Sequence, residues 1–285
     1  MKSVVVTGVS TGIGWACTKL LLARGFRVFG SVRKPDDAER LRGEFGSNFT
    51  PLLFDVTDEA AVLAAAREVR AALNGERLAG LVNNAGIAVA GPVTELPIEQ
   101  FRLQMEVNVI GPVIVTQAFA PLLGTDPATT GPCGRIVMIS SVAGRNGNPL
   151  TGPYSASKHA IEGLSESLRR ELMLFGIDVI IIAPGAVKTP IWDKGEQVDL
   201  TPYQNSRYFP ALQAVRSVML HLGSIGLPAE RIAASVFEAL TAHRPKVRYQ
   251  IAPDPLRQLM TAILPKRVID RIIAKRLGLV PPAKA

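Results

Sequence analysis

The first fourteen residues constrain the fold more than any other segment. A short β-branched run over 3–7 leads into Thr7-Gly8-Val9-Ser10-Thr11-Gly12-Ile13-Gly14, and a helical pattern follows over 13–24. Glycines there let the backbone turn tightly and approach a pyrophosphate. The helix N-terminus behind them offers N–H groups and the positive end of a dipole. Three glycines alone could mark an ordinary strand-to-helix turn. Placed after the first strand and opening the first helix, they sit where nucleotide binding needs them.

The same alternation continues. Strands are expected over 27–32, 49–54, 80–83, 135–140, 178–183 and 247–251, several apolar throughout, as when both faces of a parallel sheet are covered. Helical patterns lie between them over 38–45, 58–73, 98–123, 154–175 and 229–243. Thr57 is read as the N-cap of the third helix, with Asp58 and Glu59 in its first turn. The prediction is an α/β protein with a doubly wound parallel sheet, a Rossmann fold, in a single domain. Residues 124–134 read as a Gly-, Pro- and Thr-rich loop. Residues 193–226 break the alternation and read as an excursion beside the substrate. The expected division is a catalytic domain over 1–253 and a helical extension over 254–285.

The second strand should end at the adenosine ribose. An acid there would bind the 2′-hydroxyl of NAD, but the sequence reads Gly30-Ser31-Val32-Arg33-Lys34, with no acid before Asp36. Arg33 and Lys34 suit a 2′-phosphate, so NADP(H) is expected over NAD(H); otherwise they form a solvated basic turn. The third strand ends in Asp55-Val56-Thr57 and the fourth in Asn83-Asn84-Ala85-Gly86. Both lie where open α/β sheets bind ligands.

The sharpest chemical signal is Tyr154-Ser155-Ala156-Ser157-Lys158. Residues i and i+4 share a helix face, so Lys158 lies beside Tyr154. A free phenol titrates near 10, and a neighbouring ammonium favours the phenolate. Such a tyrosine could exchange a proton with an alcohol or carbonyl oxygen. Without the glycine-rich loop, a helix-start Tyr and a surface Lys would be the simpler reading.

Together these motifs resemble the short-chain dehydrogenase/reductase family, in the branch with a Ser-Tyr-Lys-Asn tetrad. The resemblance runs from about residue 3 to 189. It includes Thr7–Gly14, Asp55–Thr57, Asn83–Gly86, Asn108, Ser140-Ser141, Tyr154–Lys158 and Pro184–Thr189. It implies Tyr154 as catalytic acid/base, and Lys158 as the group that lowers its pKa and holds the nicotinamide ribose. Ser141 would hydrogen-bond the substrate oxygen, with Ser140 the alternative. Asn108 would hold a water that links Lys158 to solvent. Thr7, Gly8, Ser10, Thr11, Gly12, Ile13, Gly14, Arg33, Lys34, Asp55, Val56, Asn84, Ala85, Gly86, Pro184, Gly185, Val187 and Thr189 would line the cofactor. The implied reaction is hydride transfer between a nicotinamide and a ketone or secondary alcohol.

The length of the C-terminus and the 80–123 region resemble the hydroxysteroid and retinol dehydrogenase side of the family. A lipophilic, steroid- or retinoid-like substrate is therefore expected. The alternatives are a 3-oxoacyl-type ketoreductase and a non-catalytic NADP(H) sensor or scaffold. Trp192, Tyr203, Tyr208, Phe209, Leu212, Val215, Met219 and Leu222 could form an apolar lid or merely pack a helix pair.

Net charge enters only at the tail. The whole chain carries +8, yet residues 244–285 hold ten basic and two acidic residues, while the first 243 hold twenty-two of each. Leu256, Leu259, Met260, Ile263 and Leu264 form one apolar stripe, and Val268, Ile269, Ile272, Ile273 and Leu277 another, with Lys266, Arg267, Arg271 and Lys275 opposite. The tail could pack on the body or a sister subunit, lie on an anionic membrane, or bind nucleic acid. No recognition motif supports the last, so no nucleic-acid partner is expected. A homodimer or homotetramer is implied by the family resemblance. Cys17 and Cys133 make no disulfide framework and no zinc motif, so no metal is expected. No apolar stretch reaches the roughly 18 to 20 residues of a membrane span. A cytoplasmic protein is expected, peripheral to a membrane if the tail binds one.

Overall fold

The computed structural model describes residues 1–190, 199–252 and 264–281. Seven parallel strands, β1 Ser3–Val6, β2 Arg27–Val32, β3 Phe49–Leu53, β4 Gly80–Asn83, β5 Arg135–Ile139, β6 Asp178–Pro184 and β7 Arg248–Ile251, form one sheet in the order 3-2-1-4-5-6-7. Winding reverses between β1 and β4, which opens a crevice at the carboxyl edge of the sheet. The doubly wound expectation is thus the observed fold.

Apolar strands follow from two covered faces. In β1, Val4 and Val6 enter one core while Val5 enters the other. β5 divides the same way, with Val137 and Ile139 against Ile136 and Met138. The first core packs under α1 Gly12–Ala23, α2 Pro35–Phe45 and the late helix Ala229–Thr241; the second packs under α3 Glu59–Leu73, α5 Gly111–Ala120 and α6 Gly152–Glu171.

Three local expectations are corrected. Asp58, not Thr57, caps α3: its carboxylate accepts from Ala61 N–H at 3.0 Å, while the Thr57 backbone and hydroxyl both donate to Asp55. The 98–123 helix is not uniform. It comprises α4 Ile98–Met105, a π-helical turn Glu106–Ile110, α5, and a second wide turn Pro121–Thr125. Pro112 has no N–H for the Asn108 carbonyl, and Gly111 N–H bonds back to Glu106 five residues earlier. Finally, Ile98–Thr125 is long and apolar enough to cross a membrane by length and composition, with an 18-residue window of mean hydropathy 1.6. Here it buries Gln104, Asn108, Val115, Thr116 and Phe119 in the protein.

The excursion contributes a short turn, Thr201–Tyr203, and α7 Phe209–Ile225. Tyr203, Ala211 and Leu212 are buried with Leu150, and Tyr208, Phe209 and Val215 pack around them. α8 is Ala229–Thr241. In the tail, α9 Lys266–Leu277 packs on α7. Trp192, the start of the excursion, and the expected stripe Leu256, Leu259, Met260 and Ile263 lie outside the described residues.

Candidate active site

The glycine-rich loop is built by its neighbours. Gly8 and Gly12 adopt φ of 69° and 61°, where a side chain is strained. Gly14 is required for closeness: a Cβ there would overlap the Gly8 carbonyl oxygen and sit 2.6 Å from Asn84 Nδ2. Asn84 Nδ2 donates to the carbonyls of Thr7 and Gly8 at 2.8 and 3.0 Å. The Thr7 hydroxyl accepts from the N–H groups of Asn84 and Ala85. Gly8 N–H donates to Ser31 Oγ, and Arg40 of α2 donates to the Ser10 carbonyl at 2.9 Å. Thr7, Gly8, Ser10, Gly14 and Asn84 are thereby fixed as one unit. No side chain caps the first turn of α1, whose N-cap is Thr11, and no acid lies in it. Its leading N–H groups suit a phosphate.

Around this loop lie the other expected groups. Arg33 is 64% exposed, with Nη1 3.6 Å from Asp55 Oδ2. Lys34 is exposed at the start of α2. Burial pushes the Asp55 pKa up, but hydrogen bonds from Thr57 and the Arg33 charge outweigh it and hold the carboxyl below its ordinary value. On the far side, a Cβ on Gly12 would touch Thr189 Cγ2 at 3.1 Å, so the 184–189 segment closes over the tip of α1 beside Ile13. Gly185 N–H is fastened to Ile251, and Lys188 N–H to Leu227. Val187 is buried. Val56 is buried against Gly111, and Gly86, though exposed, lies close to Asn108, whose Oδ1 a Cβ there would meet at 3.2 Å.

Ser141, Tyr154 and Lys158 converge beyond β5. Ser141 Oγ accepts from Ala143 N–H at 3.1 Å and lies 3.4 Å from the Pro184 carbonyl. Ser140 does not compete for the role. Its hydroxyl is buried and donates to Glu162 Oε1 at 2.7 Å. Lys158 Nζ lies 5.7 Å from the Tyr154 ring centroid and donates to the Ile139 carbonyl at 2.8 Å. Burial raises the Tyr154 pKa, and the adjoining Ser141 hydroxyl opposes the rise only in part. This corrects the expectation that Lys158 brings the phenol below its ordinary value. Lys158 is buried as well, and burial lowers its own pKa to about 8 against the opposing charge of Glu162.

Asn108 sits in the π-helical turn. Its Oδ1 accepts from Ile87 N–H at 2.9 Å, and its Nδ2 donates to the Ile87 carbonyl and to Ser157 Oγ at 3.0 and 3.2 Å. Gln104, one turn earlier and fully buried, accepts from Val89 N–H at 2.7 Å and donates to the Ile87 carbonyl. Ser157 Oγ donates to the Tyr154 carbonyl at 2.8 Å. Two amides thus strap the 87–89 segment to the helix carrying Tyr154. Gln104, Ser157, Glu162, Arg248 and Arg40 were missed by the sequence reasoning; only the i−4 spacing of Gln104 from Asn108 could have signalled one of them.

Comparisons with known proteins bear on the family and the fold. A sequence model described as short chain dehydrogenase matches residues 2–199. The chain is 41% identical over 278 residues to the NADPH-dependent 3-dehydrocapnine reductase of Ornithobacterium rhinotracheale, covering 97% of this chain and 98% of that protein. It is 33% identical over 286 residues to human retinol dehydrogenase 5, covering 95% and 87%. Among solved structures, a short-chain dehydrogenase from Streptomyces avermitilis superposes with a TM-score of 0.75 at 26% identity, covering 97% of each chain.

Proposed function

Because this chain belongs to the short-chain dehydrogenase family of oxidoreductases, we propose that it is an NADP(H)-dependent enzyme that interconverts a lipophilic ketone and its secondary alcohol. The observation that carries this reading is the convergence of Ser141, Tyr154 and Lys158 beside a fixed glycine-rich loop. The loop, the uncapped start of α1 and the exposed Arg33 fit a nicotinamide dinucleotide bearing a 2′-phosphate. That cofactor would supply or accept the hydride.

Each residue then has a defined task. Tyr154 gives a proton to the carbonyl oxygen in reduction and takes it back in oxidation. Its raised pKa keeps the proton in place for the reductive direction until substrate arrives. Ser141 Oγ donates to the same oxygen and orients the carbonyl. Lys158, as a cation, offsets charge developing on Tyr154 and holds the ribose. Asn108, with both amide ends engaged, positions the helix that carries the pair. Asp55 and Val56 face the adenine, Arg33 and Lys34 the 2′-phosphate, and Val187 and Thr189 the carboxamide. The Ornithobacterium relative, a reductase named for a 3-dehydro compound, supports a ketone as substrate. Following NADPH absorbance with a panel of lipophilic ketones tests the assignment. NADPH is expected to outperform NADH in kcat/KM by at least about 100-fold. Replacing Val32 by Asp together with Arg33 by Ala should bring that ratio to about 1 or below. An unchanged preference would remove Arg33 from the role.

A specific observation favours a membrane as partner of the tail. The inner residues of α9, Ile269, Ile273 and Leu277, are half-buried, while Val268 and Ile272 are 39% and 56% exposed. On a helical wheel these two are flanked by Arg271 and Lys275 on one side and Arg276 on the other. Such a face suits anionic headgroups with shallow apolar insertion. On the opposite, inner side of α9, Asp270, Ile273 and Ala274 line a cleft of about 290 Å³ against residues 147–149. Co-sedimentation with phosphatidylglycerol vesicles should be salt-sensitive and fall at least fivefold in the full chain bearing Val268→Glu and Ile272→Glu. Equal binding by the variant would assign α9 to protein contacts alone.

A further inference from the structure

One buried charged cluster is left unused by this mechanism. Glu162 lies one helical turn beyond Lys158 and two beyond Tyr154, on the same face of α6. Its carboxylate is 12% exposed and receives three hydrogen bonds. Arg248 Nε donates to Oε2 at 2.8 Å, Arg248 Nη2 to Oε1 at 3.1 Å, and Ser140 Oγ to Oε1 at 2.7 Å. Arg145 adds a looser contact at 3.8 Å. The turn Val142–Gly144 presses into this cluster, because a Cβ on Gly144 would meet Ser140 Oγ, Glu162 Cγ and the Lys158 carbonyl at 2.7, 2.8 and 3.0 Å. A single carboxylate therefore ties three parts of the site together: the residue beside Ser141, the helix of Tyr154 and Lys158, and the last strand of the sheet.

We propose that Glu162 is a positioning residue for the reaction: held by Arg248 and Ser140, its negative charge keeps the Lys158 ammonium charged in a buried site. This rests on Lys158 serving Tyr154 as a cation. An ammonium taken out of water loses stability in its charged form unless an anion accompanies it. The titratable or charged groups around Lys158 are few. Tyr154 and Glu162 share its helix, while β5 offers the neutral Ile139 carbonyl. Arg145, after β5, and Arg248, on β7, reach the region through Glu162 itself. Among the described residues, Glu162 is thus the one carboxylate in this group. The direction of its influence on Lys158 is upward, against the downward pull of burial.

The test is the pH dependence of kcat/KM for NADPH-driven ketone reduction. Glu162→Gln keeps the side-chain shape, and its amide oxygen can still accept from Arg248 Nη2 and Ser140 Oγ, but it removes the charge and the acceptor facing Arg248 Nε. The alkaline limb of the profile is expected to move to lower pH by about one unit. A purely structural role would lower activity at every pH and leave the limb in place. Glu162→Gln with Arg248→Met removes the buried unpaired guanidinium, so a folded protein is available if the single variant is unstable, and its limb should move in the same direction. An unmoved limb in either folded variant overturns the proposal. Lys158→Met separates the two levels. Wild-type activity in that variant would refute the role of Lys158 itself, whereas its inactivity alongside an unmoved limb in Glu162→Gln would refute only the role of Glu162.

Discussion

Tyr154→Phe should reduce kcat by about 10²–10⁴-fold while leaving NADPH affinity within about threefold of wild type. The substitution removes one oxygen and little else. The ring stays in place over Lys158, whose ammonium is anchored independently to the Ile139 carbonyl. Among the described residues, no neighbour can take over the transfer. Ser141 has the right position but an alkoxide too basic to form at neutral pH, and the Ser140 hydroxyl is committed to Glu162. Stopped-flow absorbance at saturating NADPH, paired with calorimetric titration of the nucleotide, separates chemistry from binding. Turnover within tenfold of wild type would assign the proton to another group.

The second large effect is expected at a residue that performs no chemistry. Gly14→Ala should cost about 3 kcal/mol of stability and weaken NADPH binding by at least about 100-fold. The added methyl would meet a backbone oxygen of Gly8 and the amide of Asn84, neither of which is the free end of a flexible chain. Asn84 already spans two carbonyls, so moving it aside releases the loop that both positions hold. Thermal unfolding should shift down by on the order of 6–10 °C. Gly43→Ala, on the exposed side of α2 where an added Cβ meets nothing within 4 Å, is the matched control. Equal melting temperatures for the two variants would show that the loop can relax away from α1.

How far the sequence could be read follows from the range of each interaction. Strands with both faces covered must be apolar at successive positions, which made β1, β5 and β6 the most legible, as were loop glycines and an i, i+4 pair that work within one turn. Legibility ended where partners come from distant segments. Nothing near Glu162 announces Arg248, which lies 86 residues away. The π-helical turn at Asn108 depends on a proline four residues on and a hydrogen bond five residues back. The direction of the Tyr154 pKa depends on burial, which no motif displays and which outweighs the opposing Ser141 hydroxyl. The excursion was ambiguous because apolar residues that would cover a substrate also pack a small core, and Tyr203 and Leu212 do pack one.

Arg248 sits on the last strand, at the edge of the sheet, hydrogen-bonded to β6 alone. During synthesis at about 5–20 residues per second, the ribosome places Glu162 several seconds before its partner. For that interval the nascent chain holds a carboxylate awaiting its guanidinium. Completion of the sheet edge and completion of the charged cluster are therefore one event. A chain released early, or cleaved before β7, would lack both the ion pair behind Lys158 and the Ile251 carbonyl that fastens Gly185. The final strand thus completes a site whose reacting groups were all translated long before it.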